Sequence, residues 1–385
     1  MLLEIHMLKN YPPTNLNRDD TGAPKTCVFG GFTRGRISSQ CLKRSWRKSE
    51  IFKAEIGEKN LGVRTRTLPS LVAEKLLEMG TPPEYVELIK PLISKFGSKE
   101  KNKNDNKASS EKKTKDDDKT AQVMFFSPQD IETVANAIKS KLDGCSSKNE
   151  VKKLKADELQ KGITDASKRS ITLDIALFGR MVTCDAFRDV EASMQVAHAI
   201  STNKVCVESD YFAAMDDRLG STDLDEKGAA MLGDMDYNAS CYYIYASLDT
   251  DKLRDNLNYT EDAEGIVQRA IPALLRAMAL TNPSGKQNSF AGPVMPSAVL
   301  VECKDKKIPT SMVNAFVRPV ISADLVEESI HRLADEVDMM KRNFGLSVKE
   351  RFWFCVDKYD IRPKCVEKSC ESFPKLVEAV ISVLA

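Results

Sequence analysis

The sequence predicts an α+β fold, and three observations carry that expectation. An alternating apolar strand opens the chain, a long helical stretch interrupts it, and most strand-like runs return only afterwards. A doubly wound sheet would instead alternate strands and helices from end to end. With 385 residues, the chain suffices for two or three domains, or for one large domain with insertions.

Taken in order, residues 2–8 place Leu3, Ile5 and Met7 on one side and Glu4 and His6 on the other, which is the period of a strand. A loop rich in Asn, Asp, Pro and Gly is expected from there to about residue 35. Ser38 and Ser39 offer an N-cap for a helix over QCLKRSWRKSEIF. Residues 68–79 and 83–96 carry helical stripes: Leu68, Leu71, Val72 and Leu76, then Val86, Ile89 and Ile93. Segment 97–120 holds eight lysines, six acids, no aromatic residue and one alanine as its only apolar side chain. It buries too little surface to offset its ordering entropy, so a disordered surface insertion is expected.

Ser127-Pro128 supplies a cap and a first-turn proline for a helix to about Leu142, and a charged helix is expected over 148–161. Strand patterns follow at 170–179, 192–202, 241–250 and 297–305. Thr260 reads as the cap of a helix over 261–280, with further helices near 310–317, 323–343 and 373–384.

The formal net charge is +1, from 57 Lys+Arg and 56 Asp+Glu. That excludes a uniformly basic surface but leaves room for a polarised one. The N-terminus lacks the plan of a secretory signal. No run approaches the roughly 20 apolar residues of a membrane span. Ten cysteines are scattered without a CxxC pair, Cys365 and Cys370 being the closest. Reduced thiols in a cytoplasmic protein, without a membrane partner, are the expectation.

Charge segregation is the clearest functional signal. From Thr21 through Ser49 there are seven basic residues (Lys25, Arg34, Arg36, Lys43, Arg44, Arg47, Lys48) and no acid. At about 100° per residue, Gln40, Lys43, Arg44, Arg47 and Lys48 share one arc of the helix, while Leu42 and Trp46 fall on the other side. A basic ridge over an apolar face suits a run of phosphates, and the Ser38 cap adds helix-terminal amides. A plain solvated face is the competing reading; the missing acids and Arg34-Gly-Arg36 favour a polyanion.

Enzyme motifs are sparse. The histidines are His6, His198 and His331, and His198, in VAHAI, reads as a core residue. No metal-ligand spacing, dinucleotide fingerprint or Walker A sequence occurs, so no catalytic residue, metal or cofactor is assigned. Asp19-Asp20 is a weak Mg²⁺ pattern, with loop solvation or pairing to Arg18 preferred.

NLNRDD (15–20), VFGG (28–31), RISSQCLKRSWRKS (36–49), DIALFGRM (174–181), ASMQVAHAIST (192–202), DYFAAMDD (210–217) and GKQNSFAG (285–292) occur in the order found in the CasC family, which this sequence resembles. That family supplies the backbone subunit of the type I-E CRISPR effector complex, Cascade. The resemblance implies a modified RNA-recognition-motif (ferredoxin-like) palm over 1–59, 171–202 and 238–385. It further implies helical fingers over 60–170 and a β-hairpin thumb over 203–237.

It also implies a non-catalytic subunit that polymerises helically with further copies of itself along a CRISPR RNA, beside other Cascade subunits. The RNA would be held by its backbone, with bases left for pairing to target DNA. By motif position, Arg18, Lys25, Ser38, Gln40, Lys43, Arg44 and Arg47 match RNA-contacting positions, with Lys286 and Gln287 as a second strip, for which a plain polar turn is an equal competing reading. Met181, Phe212 and Leu232 match the wedge that flips a base at intervals; periodicity alone would make Phe212 and Leu232 core residues. The alternative is a metal-dependent ribonuclease using Asp19 or Asp20, as in type III backbone subunits.

Overall fold

The computed structural model describes residues 1–96, 118–161, 163, 169–182, 186–214 and 231–384. They group into two compact units. One comprises Met1–Glu55, Gln195–Asp249 and Ile271–Ala385; the other comprises Ile56–Met194 and Thr250–Ala270. Residues 171–194 and 250–270 thus group with the helical unit.

The first unit is built on a sheet of β1 (Leu2–Thr14), β2 (Thr26–Phe29), β3 (Phe32–Ile37), β6 (Met194–Val196), β7 (Ala199–Ser201), β8 (Glu208–Ala214), β9 (Met231–Asp249), β10 (Ala298–Lys304) and β11 (Glu350–Cys355). The order is β11-β10-β1-β9-β7-β3-β2, with β6 and β8 also pairing with β9. β1 lies between β9 and β10 and is antiparallel to both. Every residue from Leu2 to Lys9 is buried, so this part of β1 is covered on both faces.

Leu8 belongs to a core cluster with Tyr243, Tyr245, Leu300, Trp353 and the Ile330, Leu333 and Val337 stripe of a later helix, α12 (Leu325–Phe344). The charged residues on and beside the Glu4 face form internal ion pairs. Glu4 pairs with Lys304, and Glu302 with Arg351 at 2.6 Å. His6 shares a 2.7 Å hydrogen bond with the Tyr243 hydroxyl, and burial holds its imidazole below the ordinary value, as a neutral ring.

α1 (Ser39–Lys48) and α2 (Glu50–Ile56) follow the β2–β3 hairpin, and α11 (Gln287–Phe290) and α13 (Phe373–Leu384) complete the helices of the sheet unit. The helical unit contains α3 (Leu68–Glu78), α4 (Pro83–Ile93), α5 (Pro128–Asp143), α6 (Lys148–Val151), α7 (Ala156–Lys161), α8 (Leu173–Phe178) and α9 (Thr250–Leu257), with the small pair β4 (Val63–Thr65) and β5 (Met124–Phe126). Its core joins Leu68, Val72 and Leu76 of α3, Val86 and Ile89 of α4, and Val134 and Ile138 of α5. α5 starts where expected, because Ser127 and Asp130 form a reciprocal capping box. Asp130 also receives the buried Arg180 guanidinium. α10 (Ala263–Leu280) carries the chain from residue 263 to 280.

Several expectations need correction. The loop expected after residue 8 is mostly strand: β1 runs to Thr14, and β2 and β3 form a hairpin whose two turn residues, Gly30 and Gly31, have positive φ. The only regular element within 170–179 is the helix α8, Leu173–Phe178. Leu173 to Leu177 are all buried, and a run buried all round has no period to separate helix from strand. The charged helix over 148–161 is two short helices, and the strand over 192–202 is β6 and β7.

Thr260 caps nothing: its hydroxyl donates to the Ile171 carbonyl and α10 begins at Ala263. The expected helix near 310–317 is a 3₁₀ turn over Val313–Phe316. β11, with its aromatic ERFWFC run, has no counterpart in the sequence reading. Most of the expected insertion, 97–117, lies outside the described residues. Its end, Thr120, is buried and bonded to the Arg66 carbonyl, so residue 120 is ordered, against the expectation. The nine described cysteines are free thiols.

Candidate nucleic-acid interface

The acid-free window folds into the β2–β3 hairpin and α1. Ser38 caps α1 as expected, its Oγ accepting from the Cys41 amide at 3.3 Å, while its own N–H donates to Asn17 Oδ1 at 2.9 Å. Leu42 and Trp46 are buried beneath the helix. The predicted ridge resolves into two rows: Gln40, Arg44 and Lys48 are exposed, whereas Lys43 and Arg47 are half-buried. Burial pulls the Lys43 ammonium below its ordinary value. Arg47 and Lys48 close the last turn, where cations complement the helix dipole.

The single helix expected through Phe52 breaks at Ser49. That hydroxyl donates to the Trp46 carbonyl at 2.8 Å and accepts from the Phe52 amide at 3.1 Å, ending α1 and opening α2.

A groove of about 810 Å³ lies beside the ridge. Its walls are the 16–22 loop, the Arg44 and Lys48 side of α1, and Thr281–Gly285. Arg18 is exposed at its rim. Lys25 is placed next to it by an N–H bond to the Asn17 carbonyl (2.8 Å) and by accepting from the Arg36 amide (2.8 Å). Gly285 packs so closely against the Asn15 and Leu16 carbonyls that no side chain fits there.

Asp19 also lines the groove, but its Oδ1 accepts from the Thr21 amide, the Thr21 hydroxyl and the Ala23 amide. The bond from Thr21 is the main cause holding this carboxyl below its ordinary value. It organises its own turn. Asp20 is exposed. Among the described residues, no group of three or more His, Cys, Asp or Glu is arranged to hold a metal.

Arg34 of the window, and His198 beside Arg36, both depart from expectation. Arg34, counted above with the phosphate-binding charge, is 0% exposed and donates to the carbonyls of Ser201, Thr202, Phe316 and Val317. It is a structural arginine: one buried guanidinium joins the carbonyls at Ser201 and Thr202 to those at Phe316 and Val317. His198, expected in the core, is exposed and bonds the Arg36 guanidinium at 3.0 Å. Burial first, then the Arg36 and Lys25 charges, keep its imidazole below the ordinary value, which leaves Nδ1 as the acceptor.

The remaining candidates are dispersed. Lys286, at positive φ, is half-buried just beyond the groove wall. The Gln287 amide is engaged within its own loop, donating to Pro283 and accepting from Gly292. Met181, in the helical unit, is 89% exposed. Phe212 and Leu232 sit on the β8–β9 ribbon and are 36% and 58% exposed, so the core reading fails for both. In register, Phe212 faces Gly233 and Ala213 faces Leu232, so the two side chains leave opposite faces of the ribbon. The Phe212 ring lies across Gly233, where a Cβ would collide with it. Tyr211, 67% exposed, shares the Leu232 face and escaped the sequence reading; strand alternation about Leu232 would have found it.

Fold and site define a mixed α+β protein that presents a cationic helix beside a groove. The family model described as CT1975-like protein matches residues 3–379, and the chain belongs to that family. The CasC resemblance of the motifs is thereby borne out. No curated protein matches. Among solved structures, the chain is similar over 100% of both lengths to a chain of a "CRISPR RNA-guided surveillance complex, pre-nicking", at 25% identity and a TM-score of 0.82. A second such match, to a chain of a "CRISPR RNA-guided surveillance complex", has 23% identity, a TM-score of 0.71 and the same coverage, and speaks for the fold alone. Among the described residues, no helix is long and apolar enough to cross a membrane.

Proposed function

We propose that this chain is a non-catalytic, guide-RNA-binding backbone subunit of a type I-E Cascade, working in the cytoplasm. Copies polymerise along the spacer of a CRISPR RNA and grip its phosphates through Arg18, Lys25, Ser38, Gln40, Lys43, Arg44 and Arg47, with Lys286 behind them. The sheet unit serves as palm, the helical unit as fingers and the β8–β9 ribbon as thumb. Met181, Phe212 and Leu232 unstack and flip a base at intervals, at a cost of a few kcal/mol per step. The intervening bases stay open for pairing with target DNA, and other Cascade subunits hold the ends.

The observation that carries this reading is the acid-free α1, with its cations in two rows over Leu42 and Trp46, in a chain of this family. A guide holder must accept any spacer, and charge-assisted bonds to phosphate carry no sequence information.

The test is a K43E/R47E variant. Wild-type complex should co-purify with repeat-flanked spacer RNA, and the double reversal should lose it while keeping its thermal unfolding profile. For single strands, each phosphate contact contributes about 0.7 to the slope of log affinity against log salt, so loss of two contacts should flatten it by roughly 1.4. Full-length guide RNA retained by the double variant refutes the ridge.

A further inference from the structure

We propose that Lys9 is a buried positioning cation of the groove: with Tyr11 it holds the Thr281–Gly285 wall in place and adds positive charge beneath an anion bound there. The inference rests on the RNA-binding reading and deepens it.

Lys9 continues the face of Leu3, Ile5 and Met7, where the pattern calls for an apolar residue, and it is 1% exposed. Its Nζ donates to the Thr281 carbonyl at 3.0 Å and to Asn282 Oδ1 at 3.4 Å. Tyr11, two residues on along the same face, donates its hydroxyl to the same Oδ1 at 2.7 Å. The Asn282 amide in turn donates to the Val294 carbonyl at 3.0 Å. Thr281 and Asn282 both line the groove, so Lys9 bonds the groove wall from behind. At the other end of the wall, Gly285 rests on the Asn15 and Leu16 carbonyls. The wall is therefore pinned twice, once by a side chain that can change its charge.

Around Lys9, β1 contributes the Tyr11 phenol and β9 contributes Tyr242, opposite Lys9 in register. The segment after α10 contributes the neutral Thr281 and Asn282, and Cys41 of α1 acts on Tyr11. Among the described residues, none of Lys9's hydrogen-bond partners is a carboxylate; the charged residues that line the groove are Arg18, Asp19, Asp20, Arg44 and Lys48. Burial without a counter-charge brings the ammonium down to about 7. A phosphate in the groove would supply the missing negative charge and raise that value again. Binding then takes up as much as one proton, and affinity falls as pH rises through 7, about tenfold for each unit by which the anion raises Lys9.

The experiment measures binding of a fluorescein-labelled single-stranded RNA by anisotropy from about pH 6 to about pH 8.5 at constant ionic strength, across the range where Lys9 and histidine titrate. Parent, Lys9→Met and Lys9→Arg are compared, all carrying H198N to remove the imidazole beside Arg36. The parent should weaken with rising pH. The K9R variant should hold the parent's acid-limb affinity across the range, and K9M should bind weakly at every pH. A lysine that only packs the wall would leave K9M with the parent's slope, and identical slopes overturn the proposal. If K9M fails to fold, a flat K9R against a sloping parent sustains it and equal slopes reject it. A parent that binds no RNA at any pH rejects the RNA reading as well, whereas pH-independent binding by the parent rejects only the role of Lys9.

Discussion

Helix α1 and the β8–β9 ribbon are both surface elements of the sheet unit, and they carry inverted surfaces. α1 hides its apolar residues, Leu42 and Trp46, and shows cations. The described part of the ribbon shows Tyr211, Phe212 and Leu232, carries Glu208, Asp210, Asp234 and Asp236, and contains no Lys or Arg between 206 and 214 or between 231 and 237. On the proposed function the inversion divides the labour. A phosphate grip needs exposed charge over a rigid base. A wedge needs exposed carbon, and its acidic flanks keep it from competing for the backbone.

The first way to break this comparison is by stability. Trp46→Ala should cost about 3–5 kcal/mol in denaturant unfolding, because it empties a buried site beneath the ridge. Phe212→Ala, on a partly exposed ribbon, should cost no more than about 1 kcal/mol. Comparable losses would mean that the ribbon is as integral to the fold as α1.

Second, the window itself divides. Arg34→Ala removes a buried guanidinium shared by four carbonyls and should destabilise by about 3 kcal/mol or more, whereas Arg44→Ala should leave stability within about 0.5 kcal/mol and weaken RNA binding in a salt-dependent manner. Weaker RNA binding by R34A with unchanged unfolding would contradict the structural role given to Arg34.

The smallest effect is expected on the ribbon. Leu232→Ala and Phe212→Ala should each leave RNA affinity within about threefold, or 0.7 kcal/mol, while altering the reactivity of flipped bases. Because the two side chains leave opposite faces, their probing patterns should differ. Identical patterns would mean that both act on one step, against the register.

What was legible in the sequence was what neighbouring residues decide. The Ser127 cap of α5 and the buried Leu42–Trp46 face of α1 both lie within one or two turns of chain. Arg34 was misread because charge counting cannot see burial, and its four acceptors lie 167 to 283 residues away. The groove wall at 281–285 was invisible for the same reason. α8 was misread because an element buried all round leaves no polar face to betray its period. Lys9 was legible in principle: a lysine that keeps step with Leu3, Ile5 and Met7 sits where only a satisfied ammonium can go.

The double covering of β1 bears on what such a protein can evolve to prefer. An open sheet offers a platform on which particular bases can stack, and substitutions there create preferences. Here Leu2 to Lys9 are enclosed above and below, which removes this stretch of strand as a reading surface. On the proposed function, substitutions around the groove would strengthen or loosen the hold on a guide, with no platform on this strand on which to favour one message over another. Indifference to sequence becomes a property of the chassis rather than a restraint that selection must maintain residue by residue.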